Sequence, residues 1–337
     1  MKLDYFPRLG LIACASFFLL QTAFNLVLGC TGRWLVRRAR RQPPRWAARQ
    51  LFLFRILPFA LALALTGAYC LPGFLRWEPK VREGAASWFL LAAVAGMLWL
   101  VIPFLRAARA QWQTWRLLRL AGREGNPIRV SCESQPLWLL SLRTPLLALA
   151  GGWRPRLLIS YSVLQALPDE ELQAALRHEA AHRRYHDNLK RFCLLLLPPA
   201  WPGRRNAQAL EQEWARQSEW AADDAACFGE IEFQGKNHQT ALALASALVR
   251  IAKLQRGSAL HGAELPSQLC VSLTGDLNAL CERVERLLDD PQIHSQPRHD
   301  TMLAAILGAA VMTLISSAFF YLPLLYSLHR ALEALVH

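Results

Sequence analysis

The most regular feature of the sequence is a set of long apolar stretches that contain no charged residue. They cover residues 9–30, 56–75, 85–105 and 302–328. Each is long enough to cross a bilayer, which takes about 20 predominantly apolar residues. One such stretch is compatible with a buried core helix, but four in one chain favour membrane spans. The pattern therefore predicts four transmembrane helices.

The charges between these stretches predict the orientation of the spans. Between positions 33 and 55 there are eight arginines and no acidic residue, at 33, 37, 38, 40, 41, 45, 49 and 55. A second basic run, at 106–123, follows the third span. Basic loops stay on the cytoplasmic side of a membrane. We therefore expect a multi-pass protein of the cell's inner (cytoplasmic) membrane, with both termini external and its large middle region cytoplasmic.

The same observations argue against two other classes of protein. The formal net charge of +13 is compatible with nucleic-acid binding, but the arginines flank membrane spans. Contact with the lipid bilayer explains them, and no direct nucleic-acid partner is expected. The eight cysteines are scattered and form no CxxC pair. They therefore indicate neither a disulfide framework nor a cysteine-bound metal.

Between the third and fourth spans, the pattern changes to that of a folded α+β domain. A basic amphipathic helix is predicted at 106–120, and short apolar runs bounded by proline and glycine predict strands at 128–132, 146–150 and 156–160. A further helix is predicted to begin either at Ser162 or at Pro168-Asp169-Glu170-Glu171, since acidic residues suit a first helical turn. The expected domains are three transmembrane helices in 1–105, a cytoplasmic domain in 106–300, and a fourth span with a short external tail in 301–337.

The candidate catalytic residues lie in the helix that is predicted to begin at Ser162 or at Pro168. This helix contains the motif HExxH. His178 and His182 are four residues apart, so both imidazoles project from one helix face and can share one zinc ion. Glu179 lies beside the first of them, where it can take a proton from metal-bound water and pass it to a leaving amine. The alternative is a surface helix that carries two histidines by chance. The small residues Ala180 and Ala181, suited to close packing, count against that alternative.

A third metal ligand is expected downstream, on another helical stretch. Glu219 and Asp223 are four residues apart on one predicted helix face. A glutamate can complete a two-histidine zinc site and leave the fourth position for water. Asp223 would then accept a hydrogen bond from a ligand imidazole. Spacing alone does not exclude an acidic solvated face, and Glu211 and Glu213 are competing carboxylates.

Several segments together resemble a known family. They are His178-Glu179-x-x-His182, Asp187-Asn188, Glu219-x-x-x-Asp223-Asp224, the stretch 145–160 and Arg283-Val284-Glu285-Arg286-Leu287-Leu288. These segments, and the plan of three spans, a zinc domain and a fourth span, resemble the integral-membrane zinc metallopeptidases of the BlaR/MecR antirepressor group. Nearly the whole chain is covered by this resemblance.

The resemblance implies a role for each matching residue. His178, His182 and Glu219 would bind one Zn²⁺ ion, and Glu179 would be the catalytic base. Asp187 also matches, with either a helix-stabilising or a metal-supporting role. Receptors of this group carry an external beta-lactam sensor after the last span. No recognisable sensor of that kind is present here, so direct beta-lactam sensing is not expected.

The sequence therefore predicts a mainly α membrane protein, with four transmembrane helices and an inserted α+β zinc-metallopeptidase domain of the gluzincin-like type. The expected activity is hydrolysis of peptide bonds in a protein or peptide substrate, for instance a transcriptional repressor or the protein itself. One alternative is a membrane quality-control protease. A repressor gene next to the gene of this protein would instead favour regulated proteolysis of a repressor. The other alternative is a non-catalytic signalling scaffold, which would have no need of Glu179.

Overall fold

The computed structural model describes part of the chain. It covers residues 2–3, 5–77, 83–84, 87–128, 136–141, 144–228, 237–259, 270–272, 277–289, 326 and 330. Of the expected fourth span at 302–328, only Tyr326 is included. That span, most of the expected external tail and residues 129–132 of the first expected strand therefore lie outside the described residues.

The first three apolar stretches form long helices, as the sequence predicts. Helix α1 is Tyr5–Ala39, and α2 is Pro44–Leu65, continued by a π-helical segment, Thr66–Cys70, and by α3, Leu71–Trp77. Helix α4 is Ser87–Glu124. In the described part of the chain, three helical stretches are long and apolar enough to cross a membrane. The expected domain boundary at 105/106 and the amphipathic helix predicted at 106–120 both fall within α4. The third apolar stretch and that amphipathic helix therefore form one continuous helix.

The outer faces of these helices are apolar, as lipid contact requires. On α4, the residues Leu91, Met97, Val101 and Phe104 are between 43% and 71% exposed. A soluble protein rarely exposes a contiguous apolar surface of this kind. The exposed apolar face therefore agrees with the length and hydropathy of α4 as a membrane span.

A small mixed sheet follows α4. Its strands are β3 (Asn126–Ile128), β4 (Leu137–Leu140), β5 (Leu147–Ala150), β6 (Arg156–Ser160) and β7 (Cys270–Ser272), in the order β3-β4-β6-β5-β7 among the described residues. Strands β4 and β6 are parallel, and the other pairs are antiparallel. Two of the predicted strands are confirmed as β5 and β6. Strand β4 was not predicted, and β3 begins two residues before the first expected strand. Outside this sheet, two strands of two residues each, β1 (Lys2–Leu3) and β2 (Glu83–Gly84), pair with each other in antiparallel fashion.

The described part of the chain contains six further helices. They are α5 (Tyr161–Ala166), α6 (Asp169–Arg184), α7 (Asp187–Leu196), α8 (Arg204–Phe228), α9 (His238–Ala259) and α10 (Leu277–Leu288). Of the two predicted helix starts, the acidic one is correct for α6, whose first turn carries Asp169, Glu170 and Glu171. The stretch around Ser162 forms the separate short helix α5, capped by the Ser160 hydroxyl. Leucines and alanines of α6 and α9 form the main core with β5 and β6.

Helix α8 also packs against the membrane helices. Leu210 and Trp214 lie in one apolar cluster with Leu28 of α1 and Leu51 of α2. At the start of α8, the Asn206 side-chain amide donates to the carbonyl of Gly29. The absence of a side chain at Gly32 leaves room for this approach, since a Cβ there would lie 2.9 Å from the Asn206 Cβ. Helix α8 therefore shares a packed interface with the long apolar helices α1 and α2.

A close approach between α1 and α4 predicts a sensitive position. A Cβ at Gly96 of α4 would collide with the backbone carbonyl of Cys14 of α1. We expect Gly96→Ala to push α1 and α4 apart and to cost about 1–3 kcal/mol, as overpacking does elsewhere. The measurement is the Tm of the detergent-solubilised protein. A matched control is Gly10→Ala on α1, where nothing lies within 4 Å of the added Cβ. An equal Tm for the two variants would contradict the close approach of the spans.

Candidate metal centre

Helix α6 presents two histidines to the interior of the protein. His178 and His182 are both 0% exposed. Their Nε2 atoms lie 3.1 Å apart. The spacing of four residues places both rings on the same side of the helix, one turn apart. Two ring nitrogens thus converge on one point in a buried environment.

Glu219 of α8 completes the group. Its Oε2 lies 3.6 Å from the Nε2 atom of His178 and 3.6 Å from that of His182. Ligand atoms bonded at about 2.0–2.1 Å to a tetrahedral Zn²⁺ ion are roughly 3.3 Å apart. The observed separations of 3.1–3.6 Å are close to that geometry. The residues His178, His182 and Glu219 could therefore hold a metal ion.

The other nitrogen of each histidine faces a carboxylate. His178 Nδ1 lies 2.9 Å from Asp223 Oδ1, and His182 Nδ1 lies 2.8 Å from Asp187 Oδ2. A neutral imidazole that donates its Nδ1–H to a carboxylate presents a lone pair at Nε2. Two such lone pairs 3.1 Å apart would repel each other, so either a proton or a metal ion is needed between the two nitrogens. Asp187 forms a hydrogen bond with His182, Asp223 lies within ion-pair distance of His178, and the donor set of the three converging residues fits a metal ion.

Glu179 differs from its neighbours because it lacks a partner. Its side chain is 0% exposed, and among the described residues neither carboxylate oxygen has a hydrogen-bond partner. Burial raises the pKa of Glu179 to about 7, although the nearby histidines lower it. A carboxylate with a pKa near neutrality can both accept and release a proton under physiological conditions.

Arg283 of α10 is the main contributor that sequence reasoning missed. Its guanidinium lies 2.6 Å and 2.8 Å from the two oxygens of Asp223 and 3.1 Å from Glu219 Oε2. Burial alone would raise the pKa of Asp223, but Arg283 and His178 outweigh it and hold that pKa at about 2. The pKa of Glu219 is likewise held well below its usual value. For Glu219 the charge of His182 is the larger cause and Arg283 the next, whereas for Asp223 it is Arg283 first. Arg283 therefore helps to keep both carboxylates ionised.

Two residues of α7 position the site from the other side. The Asn188 side-chain amide donates to the backbone carbonyls of Leu149 at 2.8 Å and Gly151 at 3.0 Å, which ties α7 to the end of β5. This holds the adjacent Asp187 against His182. Arg191, one turn further along, lies 3.4 Å from Glu219 Oε1. The sequence drew attention to Asp187-Asn188 but gave no role for Asn188 or Arg191.

Glu211 and Glu213, the alternative candidates for the third ligand, lie outside the metal centre. Glu211 Oε1 is 2.6 Å from Arg55 of α2, and Glu213 Oε2 is 2.8 Å from Arg40, just after α1. Both pairs join α8 to the membrane helices. The structure therefore brings together His178, His182 and Glu219, and it leaves these two glutamates outside the group.

A search of protein-family models and a search of curated proteins find no match to this chain.

The buried Arg283 gives a prediction about stability. We expect Arg283→Met to cost about 3–5 kcal/mol in the metal-free protein, because it removes the arginine that compensates the buried Asp223 and Glu219. The measurement is the Tm of chelator-treated protein. Arg286→Met on the same helix is the control, since Arg286 and Asp224 are about a third exposed at 31% and 30%, and such a pair contributes about 1 kcal/mol or less. Equal losses would show that Arg283 does not neutralise the site.

The histidines give a prediction about pH. Burial would lower the pKa of His182, but Glu219 and Asp187 outweigh it and raise the pKa to about 10 in the metal-free protein. A metal ligand must be unprotonated, so a bound metal displaces this proton below pH 10. We expect Zn²⁺ affinity to rise about tenfold per pH unit from pH 6.5 to 8.5, measured against a competing chelator. A flat profile would contradict either the raised pKa of His182 or its role as a ligand.

Proposed function

We propose that this chain is an integral-membrane zinc endopeptidase, in which His178, His182 and Glu219 hold Zn²⁺ and Glu179 is the general base. The observation that carries the proposal is the fully buried carboxylate of Glu179, which lies beside three converging ligand atoms and has no hydrogen-bond partner among the described residues. The resemblance to the BlaR/MecR group supports the same assignment. The two-histidine, one-carboxylate donor set favours zinc and leaves one coordination position open.

The proposed mechanism follows from what each side chain can do. A bound Zn²⁺ supplies Lewis acidity, which polarises the scissile carbonyl and lowers the pKa of a water molecule towards 7. Glu179, with its pKa of about 7, accepts a proton from the attacking water and delivers it to the nitrogen of the leaving amine. Asp223 and Asp187 hold the two imidazoles in the tautomer that presents Nε2. Arg283 keeps Glu219 ionised as a ligand.

The proposed setting is the cytoplasmic face of the inner membrane. The basic segments beside the spans support this orientation, and so do the ion pairs that join α8 to Arg40 and Arg55. The proposed substrate is a protein or peptide, such as a transcriptional repressor or a loop of the chain itself. This choice rests on the resemblance, and a quality-control protease would use the same chemistry on other substrates.

The proposal predicts separable effects of two substitutions in the full-length, detergent-purified protein. Glu179→Gln should retain about one Zn²⁺ per chain but lose at least a hundredfold in cleavage of casein or of itself, since general-base catalysis contributes about 10²–10⁴-fold. Glu219→Ala should lose both metal and cleavage. Metal content and cleavage are measured on the same samples. The matched controls are Glu170→Gln, exposed on α6, and Glu211→Ala, two turns from Glu219 on α8.

Other outcomes separate the alternatives. Zinc without cleavage in the wild type, with a repressor offered as substrate, would favour the non-catalytic scaffold. Retention of cleavage by Glu179→Gln would refute its role as the base. Absence of zinc, under conditions in which other zinc proteins keep their metal, would contradict the peptidase proposal. Loss of metal in Glu211→Ala would mean that the wrong carboxylate was assigned.

A further inference from the structure

A cavity lies behind the metal centre, between the start of α2, the connection from α6 to α7, and α8. Its volume is ≈ 430 Å³, which is within the range of about 300–1,000 Å³ that is common for ligand pockets. Asp187 and Ser218 contribute to its wall. The described lining does not include the three metal-ligand residues or Glu179. The cavity therefore lies on the Nδ1 side of His182, away from the point where the ligand atoms converge.

The polar lining of this cavity is predominantly basic. Arg45 and Arg49 come from the first turns of α2, and Lys190 comes from α7. One carboxylate, that of Asp187, faces them, and its two oxygens already contact Lys190 at 2.9 Å and His182 at 2.8 Å. Helix α2 begins after Pro43 without a side-chain cap, so the positive end of its dipole adds to the field. In the described lining, three cationic side chains thus accompany one carboxylate, and this balance favours an anion.

The rest of the lining is aromatic and apolar. Trp46, Phe52 and Leu53 of α2 face the cavity, together with Tyr185. Leu53 is 42% exposed and lies only three residues before the charge-free part of α2 that begins at Ile56. Tryptophan and tyrosine are typical of the boundary between a membrane and water. The cavity thus joins a basic end to an apolar end at the edge of a membrane-spanning helix.

We propose that this cavity binds an anionic phospholipid. The phosphate would contact Arg45, Arg49 and Lys190, and the first part of an acyl chain would lie against Phe52 and Leu53. A soluble phosphate ester would use the basic end but not the apolar wall. A zwitterionic lipid would use the wall but gain less from three cations. The site does not depend on peptidase activity, because its ligand is recognised by groups outside the metal centre.

The test measures binding of dioleoylphosphatidylglycerol to the full-length protein by native mass spectrometry from detergent. We expect the wild type to bind one such lipid with at least tenfold higher affinity than dioleoylphosphatidylcholine or glycerol 3-phosphate. The double variant Arg45→Gln/Arg49→Gln should lose at least tenfold in this affinity. The double variant Arg33→Gln/Arg37→Gln removes the same charge from exposed positions on α1 and should change it less than twofold.

Two outcomes would overturn the proposal. Equal losses in the two double variants would mean a diffuse attraction to the basic surface rather than a built site. Equal affinity for glycerol 3-phosphate and for the lipid would assign the cavity to soluble phosphate esters. If the Arg45/Arg49 variant is unstable, Leu53→Glu provides the same test at an exposed position of the apolar wall, and unchanged lipid affinity in that variant would contradict the site. Zinc content measured on each variant shows separately whether the metal centre is intact.

Discussion

The burial of carboxylates around two imidazoles is the constraint on which the core of this protein depends. Glu179 is 0% exposed, and Asp187 and Asp223 are each 1% exposed. Burying a charge without a partner costs several kcal/mol, so positive groups must come from elsewhere in the chain. They come from three helices: the histidines lie on α6, Lys190 on α7 and Arg283 on α10. The electrostatics of the site therefore tie together helices that are far apart in sequence.

Helix α8 contacts both the metal centre and the long apolar helices α1 and α2. Its later turns carry Glu219 and Asp223 to the metal centre, while its earlier turns pack on α1 and α2. Because a helix is held by hydrogen bonds along its length, these two sets of contacts cannot be rearranged independently. A division of the chain at residue 105 or 106 describes the composition well, but the packing crosses that boundary through both α4 and α8.

Sequence reasoning could identify those site residues whose relation is local. His178 and His182, and then Glu219 and Asp223, are each four apart on one helix, and a spacing of four is visible in a single sequence. Arg283 has no such relation, since its contacts with Asp223 and Glu219 depend on how α10 packs on α8. Its segment was noticed through the resemblance, but its charge partners were not.

The prediction of strands was likewise limited to features that are local in the sequence. Strands β5 and β6 are bounded by proline and glycine, and the turn between them is marked by Gly151, whose φ is 108°. These signals are local, and both strands were predicted. Strand β4 is a run of four apolar residues, Leu137–Leu140, without an alternating pattern. Its identity is fixed by pairing with β6, about twenty residues later in the chain, so periodicity could not indicate it.

Among the buried carboxylates that the structure describes, Glu179 is the exception, because it has no hydrogen-bond partner. Asp187, Glu219 and Asp223 each face at least one cation at 3.1 Å or less, yet no described group donates to either oxygen of Glu179. If the site were only structural, a glutamine or an apolar residue would avoid the cost of burying a carboxylate. A general base, in contrast, must keep its lone pairs available and its pKa near neutrality. The lack of a hydrogen-bond partner for Glu179 among the described residues therefore supports the proposed catalytic role over a scaffold.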